Sequence, residues 1–208
     1  MKTVIALIAL TILAGCSNFA KVDAYAIPEY QIGDKIIQEE VFIGMYYSNA
    51  SKRYDGKFKP FHVAPKGEYE RISTANAGRV LISMMRDNTK VVSKKSEKDA
   101  VLNVYINGHD VDGAMTKNPL WLNNTFYTII TLTLGALSYD LVADFDVTYE
   151  LVKGDKILFK KNYDVFESLG HKESAFSSFN VDIDASMELF EKHIRLTNAQ
   201  FWNDFKQG

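Results

Sequence analysis

The residues able to do chemistry in this 208-residue chain are few and thinly spread. The densest group is His109-Asp110-Val111-Asp112, an imidazole with two carboxylates, which are the ligand types of a divalent-metal site. Strand geometry works against it. Successive side chains alternate between faces, so His109 and Val111 point one way and Asp110 and Asp112 the other; the three converge only if the chain bends. The expectation is a solvated strand end, with Asp112-Gly113 as a turn. His62 and His171-Lys172-Glu173 lack a second histidine at ligand spacing and read as polar loops or strand ends. His193 lies between Phe190 and Ile194 and reads as the flank of a helix. Asp144 and Asp146 sit two apart in an alternating strand and read as part of a solvated face. No Gly-x-Ser-x-Gly elbow and no glycine-rich phosphate loop occurs. The expectation is no catalytic residue, no metal, no cofactor and no enzymatic activity.

The remaining reactive group is the thiol of Cys16, in a chain with Cys 1 in its composition. It ends a leader with Lys2 at its start, an uncharged run from Val4 to Leu13, and then Leu13-Ala14-Gly15-Cys16. The run has the length of a secretory h-region and is too short to span a bilayer. This ending resembles the lipobox of bacterial lipoproteins. The resemblance implies that residues 1–15 are a signal peptide cleaved after Gly15. It also implies that Cys16 carries a diacylglyceryl thioether and an N-acyl chain such as palmitate. At about 0.8 kcal/mol per buried CH₂, two or three acyl chains hold a protein stably on a membrane. With Cys16 acylated, no thiol is left for an internal disulfide. Ser17, in place of Asp, implies sorting to the outer membrane of a Gram-negative cell, on its periplasmic face.

Composition narrows the partners. The formal net charge is −2, with no basic tract, which argues against nucleic acid and against electrostatic docking on anionic lipid. The 11 Tyr and 13 Phe fall largely in alternating runs, as strands facing a core place them.

Residues 16–40 read as a lipidated N-terminus and tether, and residues 41–208 as one domain. Strands are expected at 41–47, 58–64, 90–94, 99–107, 141–151 and 156–166. Ala77, Val80, Leu81, Met84 and Met85 repeat at helical spacing, and Ser73 or Thr74 suits the cap before them. Asp184 suits the cap of a second helix that carries Met187, Phe190, Ile194, Phe201 and Phe205 on one stripe. The two long strands should form a hairpin about Lys153-Gly154-Asp155. Parity favours a three- or five-residue loop that sets Leu151 against Ile157, Tyr149 against Phe159 and Phe145 against Tyr163. The fold class is α+β: a mixed or mostly antiparallel sheet, two main helices packed on it, and an apolar insertion at 118–139.

The order strand, helix, short strand and then Asp99-Ala100-Val101-Leu102-Asn103-Val104 resembles envelope lipoproteins similar to the amino-terminal domain of TolB. Curli-secretion and penicillin-binding-protein activator lipoproteins are of this kind. The resemblance spans residues 58–166. It implies a domain that acts through its surfaces, and it carries over no functional residue.

The stretch from Asn118 to Tyr139 holds no charged residue and includes Leu120, Trp121, Phe126, Ile130 and Leu134. Its length could span a bilayer, yet Pro119, Asn123-Asn124 and Gly135 interrupt it. A buried helix or hairpin and a partly exposed surface that meets lipid or a partner are the other readings. Two functions are consistent with this. In the first, a membrane-anchored periplasmic lipoprotein serves as a non-enzymatic accessory or adaptor of another envelope protein. In the second, it is a small-molecule or lipid carrier with 118–139 as a pocket wall.

Overall fold

The computed structural model describes residues 20–32, 40–49, 59–60, 66–96, 99–110, 113–120, 137–173 and 180–208. In chain order these form β1 (Glu40–Asn49), β2 (Lys59–Pro60), α1 (Lys66–Met85), β3 (Lys90–Val92), β4 (Ala100–Gly108), β5 (Met115–Pro119), β6 (Leu137–Lys153), β7 (Lys156–Glu173) and α2 (Asn180–Gln207). The α+β class is as expected. The sheet is mixed: β1 runs parallel to β3 and β4, whereas β4, β5 and β7 all run antiparallel to β6.

β6 organises the sheet. Its whole length pairs with β7 on one edge. On the other edge Phe145–Lys153 pair with β4 and Tyr139–Ala143 with β5, so β5 continues the line of β4 after a break at 109–114. β1 and β3 lie beyond β4, and β2 beyond β5.

Alternation decides what each face meets. On β6 the odd residues from Leu141 to Leu151 are all fully buried, with Ala100, Leu102, Val104 and Ile106 of β4 beside them. Both helices pack on this inner face. α1 brings Ala77, Val80, Leu81, Met84 and Met85, the expected stripe. It begins at Lys66, directly after Pro65, so Ser73 and Thr74 lie inside the helix and do not cap it. α2 likewise begins before Asp184, at Asn180. It buries Leu189, Phe190, Ile194, Ala199, Phe201 and Trp202. The helices meet through Asn76 Nδ2, which donates to Met187 Sδ at 3.1 Å, and through an Arg79–Glu191 ion pair at 3.8 Å. Fully burying one large apolar side chain is worth about 1.5–3 kcal/mol, so the α2 stripe is a main source of stability.

The β6–β7 hairpin corrects the expected register. Lys153 faces Lys156 across a two-residue turn, which Gly154 permits with its left-handed φ of 58°. A turn of that length alone would set apolar against polar throughout. An unpaired Leu158 repairs the phase: Val152 faces Ile157, but Leu151 faces Phe159. Beyond this bulge Tyr149 faces Lys161, Val147 faces Tyr163 and Phe145 faces Val165. The parity argument holds, and the partners are shifted by two on β7.

Residues 20–32 differ from a free tether. Ile32 is fully buried in the core. Tyr30 donates its hydroxyl to the Met84 carbonyl at 2.6 Å, Asn203 Nδ2 donates to the Glu29 carbonyl at 3.2 Å, and Lys206 Nζ to Gln31 Oε1 at 2.8 Å. At the other end, the Ala20 amide donates to His171 Nδ1 at 3.0 Å. The segment is a strap across the ends of both helices.

Candidate functional site

The face of the sheet away from the helices carries a regular grid of side chains. Tyr46, Tyr105, Thr148 and Asn162 form one row across β1, β4, β6 and β7. Tyr46 and Tyr105 stack at 4.6 Å between ring centroids, and Thr148 donates to Asn162 Oδ1 at 2.7 Å. The next row is Gly44, Asn103, Glu150 and Lys160, in which Lys160 Nζ lies 2.9 Å from Glu150 Oε2. That ammonium, by hydrogen bonding, holds the Glu150 carboxyl below its ordinary pKa. On the other side Asn107, Asp146 and Asp164 are aligned, so two carboxylates oppose each other directly across β6 and β7.

At that row the chain leaves the sheet. β4 ends at Gly108, His109 turns its ring to the outer face, Asp110 bridges back to Gly113, and Met115 resumes pairing with β6. The crossing is tight: a Cβ on Gly108 would stand 2.6 Å from the Gly113 carbonyl carbon and 2.7 Å from the Ala114 nitrogen. The excursion is pinned to Asp144, whose carbonyl accepts from the His109 amide and whose amide donates to the Ala114 carbonyl, both at 3.0 Å.

Asp144 is 1% exposed, which overturns its reading as part of a solvated face, whereas the Asp146 side chain stays 32% exposed. His109 sits between them. Its Nδ1 is 2.6 Å from Asp144 Oδ1 and its Nε2 2.8 Å from Asp146 Oδ2. Both nitrogens can donate only in the imidazolium form. Burial opposes that charge, but the hydrogen bonds to Asp146 and Asp144 outweigh it and raise the His109 pKa above the ordinary histidine value. Neither nitrogen is left to serve as a base toward a substrate. His109, Asp144 and Asp164 also offer three ligand atoms within 4.8 Å of one another, the set that a divalent cation would use if it displaced the proton.

The sequence pattern did not assemble this group. His109-Asp110-Val111-Asp112 does not act as a unit; the partners of His109 come from β6. Val111 and Asp112 lie outside the described residues, and Asp110, expected in solvent, is fully buried. The available signal was the pair Gly108 and Gly113 bracketing a His-Asp segment, since glycines in a strand mark bulges and close approaches. His171, expected in a polar loop or strand end, lies near the end of β7 but is buried, at 2% exposure. His193 sits on α2 with Nε2 2.9 Å from Glu167 Oε2, and Lys192 Nζ reaches the same carboxylate at 2.7 Å. Burial, against the pull of Glu167, lowers the His193 pKa.

Of the other expected site residues, Leu13, Ala14, Gly15, Cys16, His62, Trp121, Phe126, Ile130 and Leu134 lie outside the described residues. Leu120 is described and partly buried; its amide donates to the Ser138 carbonyl at 3.0 Å. Leu120 and Leu137 thus mark where the uncharged stretch leaves and rejoins the β5–β6 pair. Among the described residues no helix is long and apolar enough to cross a membrane. A cavity of about 460 Å³ is lined by Ile82, Arg86, Thr89, Lys90 and Val91, from α1, β3 and the turn between them, away from β5 and β6.

No family model matches the sequence, and no curated protein matches it. Among solved structures, the chain is similar to a Xanthomonas campestris protein of the DUF330 family, with TM-score 0.41 and 9% identity over 91% of this chain and 97% of that one. It is similar to a neuraminyllactose-binding hemagglutinin homolog from Helicobacter pylori, with TM-score 0.42 and 11% identity over 83% and 90%. It is also similar to the rare lipoprotein B from Shewanella oneidensis, with TM-score 0.34 and 12% identity over 76% and 88%. Similarities of this size assign neither a family nor a function.

Proposed function

We propose that the chain is a lipid-anchored lipoprotein of the outer membrane's periplasmic face that works without catalysis, as an accessory of another envelope protein. The reading starts from Leu13-Ala14-Gly15-Cys16 and its likeness to a lipobox. The observation that carries it further is the contact of Ala20 with His171. His171 faces Tyr139, and Tyr139 faces Pro119, at the neck of the uncharged stretch. Cys16 is four residues before Ala20, so acyl chains on it start within about 14 Å of Ala20, at roughly 3.3–3.6 Å per residue. On this reading the anchor and the uncharged stretch leave the domain at one end, and Trp121, Phe126, Ile130 and Leu134 would meet the same membrane or a protein seated in it. A carboxylate-clamped histidine with no open nitrogen supports a role without chemistry.

The test is flotation with phosphatidylethanolamine–phosphatidylglycerol vesicles. The chain without its anchor should float, and Ile130→Asp with Leu134→Asp should leave it folded in the soluble fraction. Unfolding of the double variant would show these residues to be ordinary core and overturn the membrane-facing part of the reading.

A further inference from the structure

We propose that β7 is a self-association edge, and that two copies of this chain join through antiparallel β7–β7 pairing centred on Asn162. β7 is 18 residues long, and among the described residues no strand pairs with its outer edge. A long open edge invites another strand, and single chains blunt such edges with charge or bulges. This one carries charge and the Leu158 bulge, and beside them exposed apolar bulk: Phe166 is 63% exposed, Ile157 53% and Leu158 36%.

The register follows from symmetry. Antiparallel partners must share a face, so a two-fold pairing sets residues whose numbers sum to an even value. Centred on Asn162, Lys160 meets Asp164 of the second copy and Leu158 meets Phe166, each contact occurring twice, as an isologous interface requires. On the helix face, Phe159 meets Val165 and Lys161 meets Tyr163. Shifting the centre by two residues loses the match: centring on Lys160 opposes Lys160 to itself, and centring on Asp164 opposes Asp164 to itself.

Cysteine trapping in cells tests this. Asn162 is exposed and its side chain contacts Thr148, so Asn162→Cys should fold. Opposed residues in an antiparallel pair have Cα atoms about 4.5–5.5 Å apart, within the range of a disulfide. Asn162→Cys in the full acylated chain is expected to give a covalent dimer on mild oxidation, at least several-fold above the parent chain and above Ser168→Cys. Adding Lys160→Asp should reduce that dimer several-fold, and adding Asp164→Lys with it should restore it. Absence of the Asn162→Cys dimer, equal trapping at Ser168→Cys, or failure of the charge exchange to restore trapping would each overturn the proposal.

Discussion

His109 gains two carboxylate partners on folding, and its raised pKa fixes the sign of its contribution to stability. A group that binds its proton more tightly in the folded state stabilises most below its unfolded pKa of about 6.5, and that contribution is lost as pH rises through the folded value. Replacing His109 by Gln should therefore cost most at acid pH, about 1.5–3 kcal/mol for charge-assisted buried bonds. The gap between parent and variant should narrow as pH is raised. Urea unfolding from pH 5.5 to 9 measures it, and a gap independent of pH would rule out the clamped imidazolium. His193 must behave oppositely. Its lowered pKa means that its neutral form suits the fold, so its contribution is present above the ordinary histidine value and lost as pH falls through the folded one. The clamp depends in turn on a residue with no side chain. Gly108→Ala would press a methyl on the backbone of Gly113 and Ala114, which cannot yield as a flexible side chain would. It should destabilise by about 1–3 kcal/mol and shrink the pH dependence contributed by His109. A variant as stable as the parent in urea would show that the bend relaxes freely.

α2 shows how an element can be legible while its most telling residue is not. The stripe from Met187 to Phe205 is visible as a helical period, yet Trp202 falls just off it and is fully buried. Its Nε1 has no hydrogen-bond partner among the described residues. Trp202→Ala should cost about 3–5 kcal/mol by leaving a cavity, and Trp202→Phe clearly less, because it also removes an unsatisfied N–H. Thermal unfolding of the two variants gives the comparison, and equal losses would contradict it. The other elements divide in the same way. Periodicity locates β4, β6, β7 and the Ala77–Met85 stripe because one face of each is covered and the other is not. Caps mislead at Ser73 and Asp184, since Ser and Asp are tolerated inside a helix that tertiary packing holds. The hairpin register escapes because a single unpaired residue, Leu158, has no signature in an alternating pattern. Asp144 escapes for a different reason. Its burial is imposed by a segment 35 residues away in sequence, through the hydrogen bond to His109, and no local pattern contains that.

At the scale of the whole molecule, the described residues form a two-layer domain with its helices on one face, the side-chain grid on the other, and its N-terminal strap beginning beside the β5–β6 neck. Cys16→Ala should abolish palmitate labelling and release the chain from the membrane fraction; label retained on the variant would remove the anchor from the account. The strap also sets how the domain responds to tension. Force applied at Cys16 would reach the described fold at the Ala20–His171 amide–imidazole contact and at Val22, packed on the core, before it reaches Glu29, Tyr30, Gln31 and Ile32. Such contacts are loaded one after another, as in peeling a strip, and each yields at far lower force than a strand sheared along its length. Residues 20–32 would release roughly 40 Å of chain, at about 3.3 Å per residue, while the sheet stays intact. On the proposed anchor at Cys16, the strap would be a short leash at rest and a long one under load, and the domain could follow a proposed partner away from the membrane without unfolding.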